Sequence, residues 1–96
     1  MNINFNLQGD LYTAILQLSG PAAIHLEREK PGALHFGQRS CDEGRFAKIK
    51  DNPFSSQDLV VDTVITSEVY PFYVKIESSE QITLAVVTSY SDVEVL

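Results

Sequence analysis

The chain has no tryptophan, one cysteine and one methionine. A single cysteine, Cys41, cannot close an intrachain disulfide, so a disulfide-stapled secreted module is excluded. No apolar run approaches the roughly 18 residues that a membrane span requires. No basic segment followed by an apolar stretch opens the chain, so no signal peptide is visible. The start reads as native, in a protein made in the cytoplasm and open to incorporation in a virion. Bases are scarce as well: 7 Lys and Arg stand against 13 Asp and Glu, for a net charge of -6. An acidic surface repels phosphate backbones, so nucleic acid is not an expected partner, and neither is a membrane. Arg28, Lys30, Arg39, Arg45, Lys48 and Lys50 do cluster, but Glu27, Glu29, Asp42, Glu43 and Asp51 dilute them. That mixture reads as a solvated surface.

What is present is a 44% hydrophobic chain of 96 residues, enough for one globular domain over residues 1–96. So short a chain has a thin stability margin, and association would widen it. The dominant period is two. Asn2, Asn4 and Asn6 alternate with Ile3, Phe5 and Leu7, which predicts a strand with an apolar inner face and an uncharged amide outer face. Its neighbours are expected on both sides, in the middle of a sheet, and the alternative is a strand covered or extended by another subunit. Gln8-Gly9-Asp10 then turns into LYTAILQL, suggesting a hairpin. AAIHLE alternates again. Residues 28–44 hold wide loops around the short strand Ala33-Leu34-His35-Phe36. Residues 58–66, DLVVDTVIT, are apolar on both faces and predict a strand that is central in its sheet or covered on both sides. PFYVKIE points Phe72, Val74 and Ile76 inward and Tyr73 outward. QITLAVVTS points Ile82, Leu84 and Val86 inward. These two segments predict an antiparallel hairpin. The tail sets Val93 and Val95 against Asp92 and Glu94. Seven to eight short strands without a convincing helix imply an all-β fold, a compact antiparallel β-sandwich of jelly-roll or immunoglobulin-like topology. The two cysteines and tryptophan of an antibody-type domain are missing.

No catalytic set emerges. His25 and His35 lie ten apart, which fits no zinc pattern. In Ser40-Cys41-Asp42-Glu43 the adjacent carboxylates push a thiol's pKa up, the wrong direction for a nucleophile. Asp10, Asp42, Asp51, Asp58 and Asp62 form no calcium loop, and Gly32, Gly37 and Gly44 stand singly rather than as a phosphate cradle. The expectation is a protein that is not an enzyme and binds no cofactor or metal. It is instead a structural or interaction domain of a larger assembly. Capsid decoration, head-completion and tail proteins of viruses and phages are examples of that kind. Protein partners or self-association are implied. The candidate interface residues are Phe36, Arg39 and Phe46 in the irregular middle, Phe54 beyond it, and the outward Tyr73. A carbohydrate-binding β-sandwich is the alternative, with tyrosines as the stacking platform.

Overall fold

Among the residues that the structure describes there are nine strands: β1 (Asn6–Gln8), β2 (Leu11–Leu18), β3 (Ala22–Arg28), β4 (Leu34–Arg39), β5 (Ala47–Lys48), β6 (Val60–Ile65), β7 (Phe72–Ser78), β8 (Ile82–Ser89) and β9 (Val93–Val95). The computed structural model describes residues 1–40, 44–49, 55–89 and 92–96, and among these there is no helix. The larger sheet has the order β1-β2-β7-β4-β5, with β9 sharing the β1 edge of β2. The smaller sheet has the order β6-β3-β8. All pairings are antiparallel. The inner faces meet in one core, with Leu16, Phe36, Val74 and Ile76 from one sheet and Ile24, Leu26, Val61 and Val87 from the other. The protein is therefore a two-sheet β-sandwich.

Its two sheets interlock. β2 and β3 are consecutive but lie in different sheets, and so are β7 and β8. β2 pairs with β7, while β3 pairs with β8. Immunoglobulin-like sandwiches cross their strands B, C, E and F in the same way. The edges differ, because the last strand lies on β2 and not beside β8.

Four local expectations change. First, β7 and β8 are not a hairpin. The hydroxyl of Ser78 donates to the Glu80 carbonyl (2.7 Å) and accepts from its amide (3.2 Å). The Ser79 amide donates to the carbonyl of Ala33 (2.9 Å). The turn is thus tied to the β3–β4 connection, and it carries the chain from one sheet to the other. Second, β8 changes phase along its length: Ile82 packs against the core as expected, but the residues after it are reversed. Its register with β3 slips between Glu27 and Arg28, where Glu27 faces Leu84 and Arg28 faces Ile82. The extra residue, Thr83, flips the remainder of the strand, so Ala85 and Val87 are buried and Leu84 is exposed.

Third, the opening segment is not a mid-sheet strand. Residues 1–3 run along β8: Asn2 bridges Val86, the Ile3 amide donates to Ala85 (2.9 Å) and the Val87 amide donates to Met1 (2.8 Å). Residues 6–8 then pair with β2. One stretch therefore edges both sheets. Ile3 is buried, Phe5 packs against the core, and Leu7, already out on the β2 edge, is exposed. The expected β1–β2 hairpin is present. Gly9 takes φ +60° at the first central position of the two-residue turn, where a type II′ turn needs glycine.

Fourth, β6 is an edge strand. Val61 and Ile65 point inward, but Val60 and Val64 are 55% and 64% exposed. The apolar residues on both its faces do not mark burial on both sides.

Candidate functional site

The outer face of the smaller sheet is a grid fixed by register. Ala23 lies between Val64 and Thr88, His25 between Asp62 and Val86, and Glu27 between Val60 and Leu84. Val60, Val64 and Leu84 are exposed, and Ala23 and Val86 are half-buried. A monomer with no use for this face gains nothing from so many aliphatic side chains on it.

His25 occupies the centre. Its Nδ1 is 2.6 Å from the Asp62 carboxylate and its Nε2 is 2.7 Å from that of Glu27. A neutral imidazole donates from one nitrogen only, whereas ionised carboxylates only accept. The doubly protonated ring satisfies both contacts. The Glu27 hydrogen bond, then the Asp62 hydrogen bond, raise the His25 pKa above its ordinary 6.5, against a smaller opposing effect of desolvation. Asp62 reaches the ring because β6 pairs in register with β3, and Glu27 because it lies two residues along the same strand. Both ring nitrogens face carboxylates, so neither is presented to a metal. Among the described residues no group of three or more His, Cys, Asp and Glu is arranged to hold one.

The residues expected at an interface are placed elsewhere. Phe36 is in the core, not at the surface, because β4 turns it inward opposite Ile76. Arg39, Phe46 and Tyr73 do come together, on the outer face of the larger sheet. The Arg39 guanidinium lies 4.2 Å from the Phe46 ring centroid and 5.5 Å from that of Tyr73, and donates to the Gly44 carbonyl (2.8 Å). A side chain on Gly37 would meet the Cβ of Phe46 at 2.8 Å, so glycine there lets Phe46 lie on the sheet. Tyr73 points outward as expected but is buried, in contact with Arg39. Phe54 lies outside the described residues, as do Cys41, Asp42, Glu43, Asp51 and Tyr90. His35 is exposed on the larger sheet and does not join His25. The His25 cluster went unread in sequence because Asp62 joins it only through strand pairing. A signal existed: Asp62 is the one charge inside LVVDTVI.

A second feature lies beside the opening segment. A groove of about 360 Å³ runs between that segment and the start of β8, with Asn2, Asn4, Phe5, Tyr12, Gln81 and Thr83 among its walls. Tyr12, Gln81 and Thr83 also line an adjoining cleft of about 250 Å³. No helix of the described residues is long and apolar enough to cross a membrane. No protein-family model matches the chain, and no curated protein or solved structure is significantly similar to it.

Proposed function

We propose that the protein is a non-enzymatic interaction domain that works within a larger assembly, and that the outer face of the smaller sheet is its contact surface. Components of virus and phage particles, such as capsid decoration, head-completion and tail proteins, are the setting this reading favours. The observation that carries the contact surface is the set of exposed aliphatic side chains on it, Val60 and Val64 on the edge strand β6 and Leu84 on β8. Apolar patches of this kind mark interaction sites, and an open strand edge tends to pair.

A photo-crosslinking side chain at Val64 tests the reading in cells that make the protein naturally, with the same group at His35 on the opposite sheet as control. Protein adducts should form at Val64 in large excess over His35. Equal yields at both positions, or none at either, would reject the surface.

A second reading is supported by the groove along the opening segment. The amides of Asn2, Asn4 and Gln81 can each donate and accept, as vicinal hydroxyls require, and Phe5 and Tyr12 supply apolar ring area. This is the carbohydrate-binding alternative with Tyr12 as its stacking tyrosine, since the outward Tyr73 is covered. A glycan array probed with the whole chain separates the two readings. A hit abolished by Tyr12→Ala with the fold intact would favour the glycan, and a blank array would remove it.

A further inference from the structure

We infer that β6 accepts an added antiparallel strand from a partner protein whose outward-facing residues run aliphatic, basic, aliphatic, with the basic side chain seated against Asp62 and Glu27. This rests on the reading of the smaller sheet as the contact surface. It goes further by stating what the partner presents.

The register determines the pattern. In an antiparallel pair, directly opposed residues lie on the same face of the sheet, and every second residue returns to it. A strand added to β6 therefore places one residue beside Asp62 and its neighbours at two positions either way beside Val60 and Val64. The two valines are more than half exposed and are covered best by aliphatic side chains. The central position faces carboxylates. Asp62 has 73% of its side chain exposed and Glu27 has 41%. They share one imidazolium, so one negative charge is left over at the centre of an apolar face. Each carboxylate also keeps acceptor positions that His25 does not fill. An arginine fork, or a lysine, matches both the charge and the free acceptors.

The same arithmetic argues against a second copy of this chain. When β6 pairs antiparallel with itself, outward residues oppose outward residues. Asp62 then meets either another Asp62 or one of the valines, because VVDTVI contains no base. A distinct, basic partner strand has no such conflict.

His25 makes the docking proton-linked. The partner's cation sits beside the imidazolium on the same two carboxylates, and repulsion between the two positive charges favours the neutral ring in the complex. The charged groups facing His25 are Glu27 from its own strand and Asp62 from β6. From β8 it meets Val86, flanked by Leu84 and Thr88, none of which titrates. Because the carboxylates raise the free protein's His25 pKa, affinity should climb as pH rises through a range above 6.5.

The test is titration of the whole isotope-labelled chain, followed by NMR, with two capped peptides of sequence Thr-Val-Thr-Arg-Thr-Val-Thr and Thr-Val-Thr-Glu-Thr-Val-Thr. The arginine peptide should shift the amides of β6 and bind roughly tenfold or more tightly than the glutamate peptide. Asp62→Asn, with the spectrum otherwise native, should erase most of that difference, and His25→Gln should flatten the rise with pH. Equal affinity for both peptides, shifts that map away from β6, or no binding of either at millimolar concentration would overturn the inference. So would concentration-dependent dimerisation of the pure chain through β6. If crosslinking still concentrates at Val64 while the arginine peptide fails, strand addition is wrong and the contact surface stands.

Discussion

Replacing Phe36 with alanine is expected to lower the folding stability by about 3–5 kcal/mol, the usual cost of removing a buried aromatic ring. Phe36 is 2% exposed and faces the space between the sheets, opposite Ile76 on the neighbouring strand. Truncation removes the ring's transfer energy and leaves a cavity that two cross-braced sheets collapse into poorly. A domain of this size has on the order of 5–15 kcal/mol in total. The melting temperature should accordingly fall by about 12–40 °C, taking roughly 4–8 °C per kcal/mol. Urea unfolding followed by tyrosine fluorescence reads the change directly, since no tryptophan obscures the signal. An interface role for Phe36, as its place in the irregular middle of the sequence suggests, would weaken association more than folding. Burial makes Phe36 a residue of the fold, and association per folded molecule should be unchanged. A loss under about 1 kcal/mol would show that the site is far better hydrated than its burial implies.

Arg28→Ala should be nearly as damaging, for a different reason. Arg28 ends β3 with its side chain turned inward, and the residue is 4% exposed. Among the described residues no carboxylate pairs with it. Its guanidinium donates instead to the carbonyls of Gly32 (2.9 Å), Ser56 (3.3 Å) and Asp58 (2.7 Å), and more weakly to the Ser78 hydroxyl (3.5 Å). One side chain thus holds the β3–β4 connection, the approach to β6 and the end of β7 together. After truncation Ser56 still accepts from the Gly32 amide and Ser78 still bonds Glu80, but the Gly32 and Asp58 carbonyls lose the donors they have here. Two stranded acceptors plus a cavity amount to about 2–4 kcal/mol, with water entry setting the lower end. Arg28→Lys should recover only part, because a single ammonium cannot span three diverging carbonyls. Hydrogen exchange at the Gly32 amide should speed up in both variants. An unchanged exchange rate there would mean that the loops are held by something other than the guanidinium.

Much of the architecture was legible because alternation needs only one strand at a time. Ala22, Ile24 and Leu26, the apolar half of the AAIHLE alternation, are buried, and Phe72, Val74 and Ile76 are buried as expected. Val93 and Val95 pack against the core as their pattern predicted. Reading failed where a strand is apolar on both faces or where the outcome depends on a partner. In ITLAVV either phase is credible, and the bulge at Thr83 selects the one with the smaller side chains inside. Whether residues 72–78 and 82–89 pair with each other is decided by β2 and β3, far back in the chain. Tyr73 points outward as expected, yet the Arg39 guanidinium lies over its ring. The His25 cluster has the same character: half of it, His25 and Glu27, is visible as neighbours on one strand face, and the other half arrives only when β6 is laid down.

The interlocked order of the strands also governs how the chain can be made and divided. β2–β7, β3–β8, β3–β6, β4–β7 and β2–β9 each join a strand from before residue 41 to one from after residue 57. Severed in between, the second fragment would have no ladder of its own among the described residues, and the first would keep little beyond the β1–β2 hairpin. The two pieces should be unfolded apart and able to fold only on each other. On a ribosome the delay is built in. β7 begins at residue 72 and β2 ends at residue 18, so β2 waits for its partner while the intervening 53 residues are added. At roughly 5–20 residues per second that wait is about 3–11 s. Nascent β2 and β3 therefore stand exposed for longer than a small β-sandwich needs to fold, and the apolar faces of LYTAILQL and AAIHLE need shielding until the second half of the chain emerges.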